Sequence, residues 1–514
     1  MPIHLLTRVR LSFKPSRHFL SLAVSCINMS PSAVPENGEF HEPLVLTPDT
    51  QTELPSNEPI NGELNGSSST NGATSSPNGV NGTNGYVAMN GSAPNGTIHA
   101  HAHEHSKPTP IAIIGMGCRL PGDVSSPEEF WELCSRARSG WSEIPKSRFN
   151  HAAFHHPNPD KLGCYNPAGG HFLKEDIDVF DAPFFNVTEK EAISMDPQQR
   201  LLLECTFEAL ENAGIPKRSL SRKNVAVYVG GSFADYELNN VRDTDTAPMY
   251  QATGCASSIL ANRISYYFDL AGPSATVDTA CSSSLAALHL ACQSMHSGES
   301  SHAIVASCHL NILPDYFITM STSSLFSNEG KSFAFDHRGN GFGRGEGVGC
   351  VILKPLDAAI KDNDAIRAVI VGSGVNQDGK TNGITMPNGD AQVSLMKSVY
   401  ERSELDVAET GYVECHGTGT KAGDPIEASA VHKVFGRGRT ARQPLYIGSV
   451  KSNIGHLEGA SGIVSVIKTA MMLERDFILP NCDFQKPNPD IPFKEWNLKV
   501  LVCCLLSNSN AKEI

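Results

Sequence analysis

Cys281 is the residue of this chain whose surroundings best suit covalent chemistry. It follows the run SATVDTA, which predicts a strand, and precedes SSSLAALHLACQSM, in which Leu285, Leu288 and Cys292 recur at helical spacing. A cysteine at such a strand-to-helix turn lies beside unpaired backbone N–H groups. These favour the thiolate, which attacks carbonyl carbons far better than a thiol does. The alternative is a buried, inert cysteine. The serines and threonine around Cys281 argue against that alternative, because an apolar core favours methyl groups.

Two histidines downstream have surroundings that suit the same chemistry. His416 lies in VECHGTGTKAGD (413–424) and His456 in SVKSNIGHLEGASG (449–462), each after a strand-like run and among glycines and hydroxyl residues. A single histidine is more often a satisfied structural residue. Two imidazoles combined with a nucleophilic thiol instead indicate acyl-thioester chemistry, because they can donate hydrogen bonds to a carbonyl or enolate oxygen.

The order and wording of these motifs resemble a known family. TACSSSL, ECHGTGT and KSNIGHLEGASG resemble the three active-site motifs of the β-ketoacyl synthase (ketosynthase) domain of a fungal-type iterative highly reducing polyketide synthase. Further blocks agree with this resemblance, which covers about residues 108–500: PIAIIGMGCRLPG (110–122), MDPQQRLLLE (195–204) and FDHRGNGFGRGEGVG (335–349).

The resemblance implies a decarboxylative Claisen condensation of carrier-bound acyl and malonyl thioesters. Cys281 would take the acyl chain from the phosphopantetheine of an acyl carrier protein, so no cofactor is bound directly. His416 and His456 would hydrogen-bond the thioester oxygen of malonyl as carbon dioxide leaves. The backbone N–H of Cys281 would form part of the oxyanion hole.

Three supporting residues follow from the same resemblance. Lys451 would order the histidine loop by its charge, with a solvated surface lysine as the alternative. Thr418 and Thr420 would contact the pantetheine arm, with local turn hydrogen bonds as the alternative. No metal site is expected, since the histidine-rich stretch HAHAHEH (99–105) has no further ligands to complete one.

Strands apolar on both faces alternate with helices and predict an α/β fold with sheets buried between helical layers. The resemblance specifies a thiolase-like fold of two similar halves, about 108–355 and 356–500, in stacked α-β-α-β-α layers. Predicted strands are 111–115, 224–230, 302–308, 348–356 and 366–375, and predicted helices are 126–140, 199–214, 390–405 and 461–476.

Both ends depart from the family pattern. Residues 1–107 are predicted to be a disordered extension, because 36–97 are rich in Asn, Gly, Ser, Thr and Pro. Residues 1–28 are either a targeting leader or a segment preceding a true start at Met29. After Val500 the family's last strand pair and its GFGGTNAH-type motif are not found, and 501–514 is interpreted as an aberrant tail. The chain is therefore either an active synthase or an inactive truncated remnant or gene-model fragment. Such a remnant would act at most as a dimerising or carrier-binding module.

Composition narrows the classes of partner. The 514 residues carry a net charge of −13 with no basic cluster, which argues against nucleic acid. No apolar run approaches the roughly 18 residues that a membrane span needs. The 14 scattered cysteines have no paired spacing and predict reduced thiols in the cytoplasm. The family resemblance implies a homodimer.

Overall fold

The computed structural model describes residues 3–8, 21–26 and 108–506. The strands in these ranges are β1 Ile3–Arg8, β2 Ser21–Cys26, β3 Ile111–Arg119, β4 Ser142–Glu143, β5 Gly169–Gly170, β6 Val225–Gly230, β7 Ser274–Val277, β8 His302–His309, β9 Gly347–Pro355, β10 Ala368–Val375, β11 Thr410–Glu414, β12 Leu445–Gly448, β13 Phe477–Ile478, β14 Leu498–Lys499 and β15 Leu505–Leu506.

The α-helices in the same ranges are α1 Pro127–Ser135, α2 His151–Phe154, α3 Glu189–Ser194, α4 Pro197–Asn212, α5 Lys217–Leu220, α6 Asp235–Asn240, α7 Gln251–Cys255, α8 Ser258–Phe268, α9 Ser283–His296, α10 Asp315–Thr322, α11 Leu356–Lys361, α12 Gly389–Arg402, α13 Gly423–Phe435, α14 Lys451–Ile454, α15 Ser461–Arg475 and α16 Phe493–Trp496. No helix of the described ranges combines the length and the apolar character that a bilayer span requires.

The main sheet of the described residues has eleven strands and consists of two halves, which join where β3 pairs antiparallel with β10. The first half-sheet has the strand order β3-β9-β8-β6-β7. Strands β8, β6 and β7 are parallel, and β9 runs antiparallel to its neighbours β3 and β8. Val225–Gly230 is buried at every residue, as expected for a strand covered by helices on both faces.

The second half repeats this arrangement, in the order β10-β1-β2-β11-β12-β14. Strand β1 runs antiparallel to β10 and β2, whereas β2 and β11 are parallel. Strands β1 and β2 therefore occupy the positions that β9 and β8 hold in the first half. Two segments from the N-terminal region thus complete this half-sheet, although the family's last strand pair is not found after Val500.

These two strands lie within the segment that composition predicts to be disordered. That prediction rests on the low-complexity stretch 36–97, which falls outside the described residues, as do 9–20 and 27–107. Strand β2 instead belongs to the apolar run FLSLAVSCI (19–27). At the other end, β15 pairs antiparallel with β13, and 507–514 fall outside the described residues.

Helices α9 and α15 lie between the two half-sheets. Helix α9 contacts β6, β8 and β10, and α15 contacts β3, β9 and β10. Helix α4 covers the outer face of the first half-sheet, and α12 covers the outer face of the second. This arrangement confirms the predicted α-β-α-β-α layering. Residues 461–473 of α15 are all buried, as befits a helix in the central layer.

Polar side chains cap the starts of two helices. The side chain of Ser126 accepts a hydrogen bond from the Glu129 backbone N–H and caps α1. Helix α4 begins at Pro197, two residues earlier than predicted, because Asp196 caps it. The predicted α15 ends one residue late, since Asp476 adopts the left-handed conformation that terminates the helix.

Candidate active site

Cys281 lies in the turn between β7 and α9, as the sequence predicts, and is only 3% exposed. Ala280 has φ 54°, a left-handed conformation that makes the turn sharp. Serine side chains stabilise this turn, because Ser283 Oγ accepts from the Thr279 N–H at 2.9 Å and donates to the Ala280 carbonyl at 2.6 Å. The small hydroxyl residues around Cys281 therefore shape the turn that presents the thiol.

His416 follows β11, and its backbone is held on both sides. Its N–H donates to Glu427 Oε1 at 2.7 Å, and its carbonyl accepts from Ser449 Oγ at 3.0 Å. The next residue, Gly417, has φ 45° and also donates its N–H to Glu427, at 2.9 Å. A Cβ at Gly417 would lie 2.6 Å from the Ser449 Cβ, so glycine is required for this close approach.

His456 lies in the loop between α14 and α15. Its N–H donates to the Gly343 carbonyl at 2.7 Å, and its carbonyl accepts from the Gly345 N–H at 2.8 Å. Its Nδ1 accepts a hydrogen bond from the Glu458 backbone N–H at 2.9 Å. A neutral imidazole whose Nδ1 accepts carries its proton on Nε2. The loop therefore fixes the tautomer that offers an Nε2–H donor.

Both imidazoles are neutral at physiological pH. Burial, followed by the charge of Lys451, holds the pKa of His416 well below its usual value. The same two causes, in the same order, lower the pKa of His456. Neutral imidazoles keep a donor for an oxyanion without adding a second positive charge to a buried site.

Lys451 is the first residue of α14 and is 0% exposed, so the alternative of a solvated surface lysine is wrong. Its Nζ has no hydrogen-bond partner among the described residues. A buried, unpaired ammonium group is rare, and here its charge acts on both histidines. The role that the resemblance implies for Lys451, ordering the histidine loop by its charge, stays a prediction.

The fold brings the three predicted reactive groups together. One ligand atom each from Cys281, His416 and His456 lie within 4.8 Å of one another. The imidazole rings have centroids 5.4 Å apart and are nearly perpendicular, at 86°. One sulfur and two nitrogens at this spacing can also hold a metal ion, although the nearby Lys451 charge opposes a cation. The same arrangement places two neutral donors beside one nucleophile.

Thr418 and Thr420 are buried in the turn after His416. Their hydroxyl oxygens are 3.1 Å apart, and Thr420 Oγ1 accepts from the Gly423 N–H at 3.3 Å. The predicted alternative of local turn bonding is therefore present in the structure. Contact with a pantetheine arm stays a prediction.

Sequence reasoning missed the acidic side chains of α13 that hold the His416 turn. Glu427 accepts two backbone N–H groups, and Asp424 accepts those of Phe335 and Gly419. Burial raises the pKa of Glu427 to about 8 and that of Asp424 to about 6. The available signal was two acids on the buried face of an otherwise apolar helix, where unpaired acids are rare.

The GFGRGEG stretch (341–347), which the sequence analysis used only as part of a family-like block, holds the His456 loop. The Gly343 carbonyl and the Gly345 N–H hydrogen-bond the backbone of His456. The ring centroid of Phe342 lies 4.7 Å from that of the His456 imidazole. Glu346 in this stretch pairs with Arg148 at 2.8 Å, and both side chains are almost fully buried. The close backbone approach explains the glycines, since a Cβ at Gly345 would lie 2.5 Å from the Ile454 carbonyl.

Comparison with known proteins identifies the family. Residues 108–359 match the β-ketoacyl synthase N-terminal domain, and 367–485 match the β-ketoacyl synthase C-terminal domain. Similar solved structures include the oxazolomycin ketosynthase domain of Streptomyces albus JA3453, with TM-score 0.73, 32% identity and coverage of 77% of this chain and 68% of that one. The module 6 ketosynthase of the bacillaene synthase from Bacillus subtilis 168 gives TM-score 0.71 and 37% identity, covering 78% of this chain and 68% of that one.

Curated relatives are fungal polyketide synthases. Highly-reducing polyketide synthase 1 of Aureobasidium melanogenum is 64% identical over 393 residues, which are 76% of this chain and 18% of the relative. A highly reducing polyketide synthase of Talaromyces stipitatus is 53% identical over 76% of this chain and 15% of the relative. The chain thus spans less than a fifth of the length of these relatives. With both family domains matched over the region that forms the site, the chain belongs to the β-ketoacyl synthase family.

Proposed function

We propose that this chain catalyses the decarboxylative condensation of carrier-bound acyl and malonyl thioesters in polyketide synthesis. The observation that carries the proposal is the convergence of one turn-presented thiol with two neutral imidazoles, within 4.8 Å. A thiol alone supports acyl transfer, whereas two neutral donors beside it also suit stabilisation of an enolate.

In the first step the Cys281 thiolate attacks the carbonyl carbon of an acyl thioester. The new carbon–sulfur bond replaces the bond to the pantetheine sulfur, and the carrier thiol leaves with the proton that Cys281 gave up. The tetrahedral oxyanion accepts a hydrogen bond from the Cys281 N–H. The turn before α9 and the helix dipole behind it favour the thiolate.

In the second step a malonyl thioester loses carbon dioxide. The electron pair of the broken carbon–carbon bond forms an enolate, whose oxygen accepts hydrogen bonds from the Nε2–H of His456 and from the ring N–H of the neutral His416. The enolate carbon attacks the acyl-Cys281 carbonyl, and collapse of the tetrahedral intermediate expels the thiolate. The product is a β-ketoacyl thioester on the carrier.

The partners in this proposal are an acyl carrier protein and a second copy of the chain. The carrier delivers both substrates on phosphopantetheine, so the chain needs no cofactor of its own, and Thr418 and Thr420 would line the path of the arm. The support for a homodimer is strand β7, which ends the first half-sheet and is partly exposed. An edge strand of this kind can pair with its copy.

The test is acyl loading from a pantetheine thioester, followed by mass spectrometry of the tryptic peptides. We expect the acyl group on Cys281, and Cys281→Ser should abolish that modification. The matched control is Cys292→Ser, which changes a buried cysteine further along α9 and should leave loading intact. Acylation of a different cysteine would overturn the assignment. Carrier binding without loading would support the non-catalytic module instead.

A further inference from the structure

A buried ion pair lies directly behind the two histidine loops. Glu414, the last residue of β11, and Lys468, on the central helix α15, are both 0% exposed. Lys468 Nζ donates to Glu414 Oε2 at 2.7 Å and to the hydroxyl of Tyr412 at 3.1 Å. The Tyr412 hydroxyl donates to the same carboxylate oxygen at 2.5 Å. Neither charged group is within the reacting cluster, so the chemistry of the site does not explain them.

The second oxygen of this carboxylate holds a different element. Glu414 Oε1 accepts the backbone N–H of Val450 at 2.7 Å. Val450 immediately precedes α14, which begins at Lys451 and leads into the His456 loop. The neighbouring Ser449 N–H is taken by Asn481 Oδ1 at 3.0 Å. Side chains therefore hold both backbone donors of the turn before Lys451.

One carboxylate thus joins three elements that carry the site. It ends the strand that continues into His416, it anchors the turn that leads to Lys451 and His456, and it pairs with α15. The Ile463 N–H of α15 in turn donates to Ser284 Oγ at 3.0 Å, at the start of the helix behind Cys281. The packing leaves no spare room, since a Cβ at Gly448 would lie 2.4 Å from the Tyr412 hydroxyl.

We propose that Glu414 is a positioning residue for the decarboxylation step, which it serves by fixing the Val450 turn relative to His416. Lys468 neutralises the carboxylate in the core. The inference rests on the proposed function, because it requires that the two imidazoles together stabilise an enolate. The ion pair then serves that step by holding the two histidine loops in place. Acyl loading uses Cys281 and its own turn, which the ion pair does not touch directly.

Two double variants isolate the positioning contact from the buried charge. Glu414→Gln with Lys468→Met removes both charges and keeps an amide oxygen for the Val450 N–H. Glu414→Leu with Lys468→Met also removes both charges and leaves that N–H without an acceptor. We expect the Gln variant to retain decarboxylation and the Leu variant to lose about 100-fold, since misplacement by about 1 Å can cost that much. Loading of Cys281 should persist in both.

The control for loss of a buried lysine is Lys354→Met. Lys354 is 5% exposed and pairs with Asp362 and Asp364, away from the reacting cluster. We expect this variant to lower thermal stability without changing the ratio of decarboxylation to loading. If Lys354→Met changed the ratio of decarboxylation to loading as much as the Leu variant does, the ratio would report only loss of stability, and the inference would be overturned.

Amide hydrogen exchange of the peptide 449–457 supplies a readout that does not depend on turnover. We expect faster exchange in the Leu variant than in the Gln variant. Equal exchange and equal decarboxylation in the two variants would refute the positioning role. Failure of the proposed function would look different: the unmodified chain would show neither loading nor decarboxylation, while the exchange difference between the variants would persist.

Discussion

Replacing His456 by alanine should slow malonyl decarboxylation far more than acyl loading. The loop does not depend on the imidazole for its path, because Gly343 and Gly345 hold both backbone groups of His456 at 2.7 and 2.8 Å. The substitution therefore removes one preorganised Nε2–H donor. Loss of such a donor costs about 2.7–4 kcal/mol of transition-state stabilisation, or about 10²–10³-fold in rate.

The substitution also removes the acceptor of the buried Glu458 N–H. An unsatisfied buried donor costs about 1–3 kcal/mol of folding stability. Thermal unfolding should therefore be measured beside the kinetics, so that a rate loss in folded protein is separated from loss of fold.

The assay compares carbon dioxide release from a malonyl thioester with acylation of Cys281 from an acyl thioester, on the same preparation. The matched control is His289→Ala, on α9, whose imidazole contacts Ser373 at 2.9 Å and lies outside the reacting cluster. We expect the control to leave both rates near those of the unmodified chain. Equal losses of loading and decarboxylation in His456→Ala would refute the reasoning and make His456 a structural residue.

Three further predictions follow from the same structure. Iodoacetamide should label Cys281 faster than Cys292, because burial raises the pKa of Cys292 to about 12; uniform labelling in peptide maps would contradict the turn-activated thiol. The pKa of His416 and of His456 is lower in the folded chain than the ordinary histidine value. The contribution of these two histidines to folding stability is therefore fully present above about pH 6.5, and it is lost as the pH falls from there through their pKa values in the folded chain. Decarboxylation by Cys281→Ala should accordingly show no inflection near pH 6.5, and a rise centred there would mean that an imidazole titrates. A chain that starts at Met29 lacks β1 and β2, so two inner strand positions of the second half-sheet should be empty and the neighbouring strands unpaired. This shortened chain should aggregate or be cleaved readily by protease. Cooperative unfolding at the same midpoint temperature as the full-length chain would contradict this prediction.

The convergence of Cys281, His416 and His456 was predictable from sequence because these residue types follow predicted strands, among glycines and hydroxyl residues. Cys281 lies at the predicted turn, and the histidines follow strands at the same end of the second half-sheet. The groups that position them were not predictable in this way. Glu427 and Glu414 act through hydrogen bonds to backbone N–H groups, and nothing in the local pattern of a sequence specifies which N–H a distant carboxylate will reach.

The strand order of the second half-sheet also could not be predicted from the sequence. The spacing of apolar residues and the local composition indicate where strands form, and they correctly predicted a strand over 366–375. They do not specify which strands become neighbours. The pairing of β1 with β10 joins segments more than 360 residues apart, and no local signal in IHLLTR specifies that partner.

The most direct test of the central claim is a single-turnover reaction with acyl-loaded protein and a carrier-bound malonyl thioester. We expect one β-ketoacyl thioester to form for each carbon dioxide released, as the acyl group leaves Cys281. Carbon dioxide release without loss of the acyl group from Cys281, or product formed by Cys281→Ser, would contradict it.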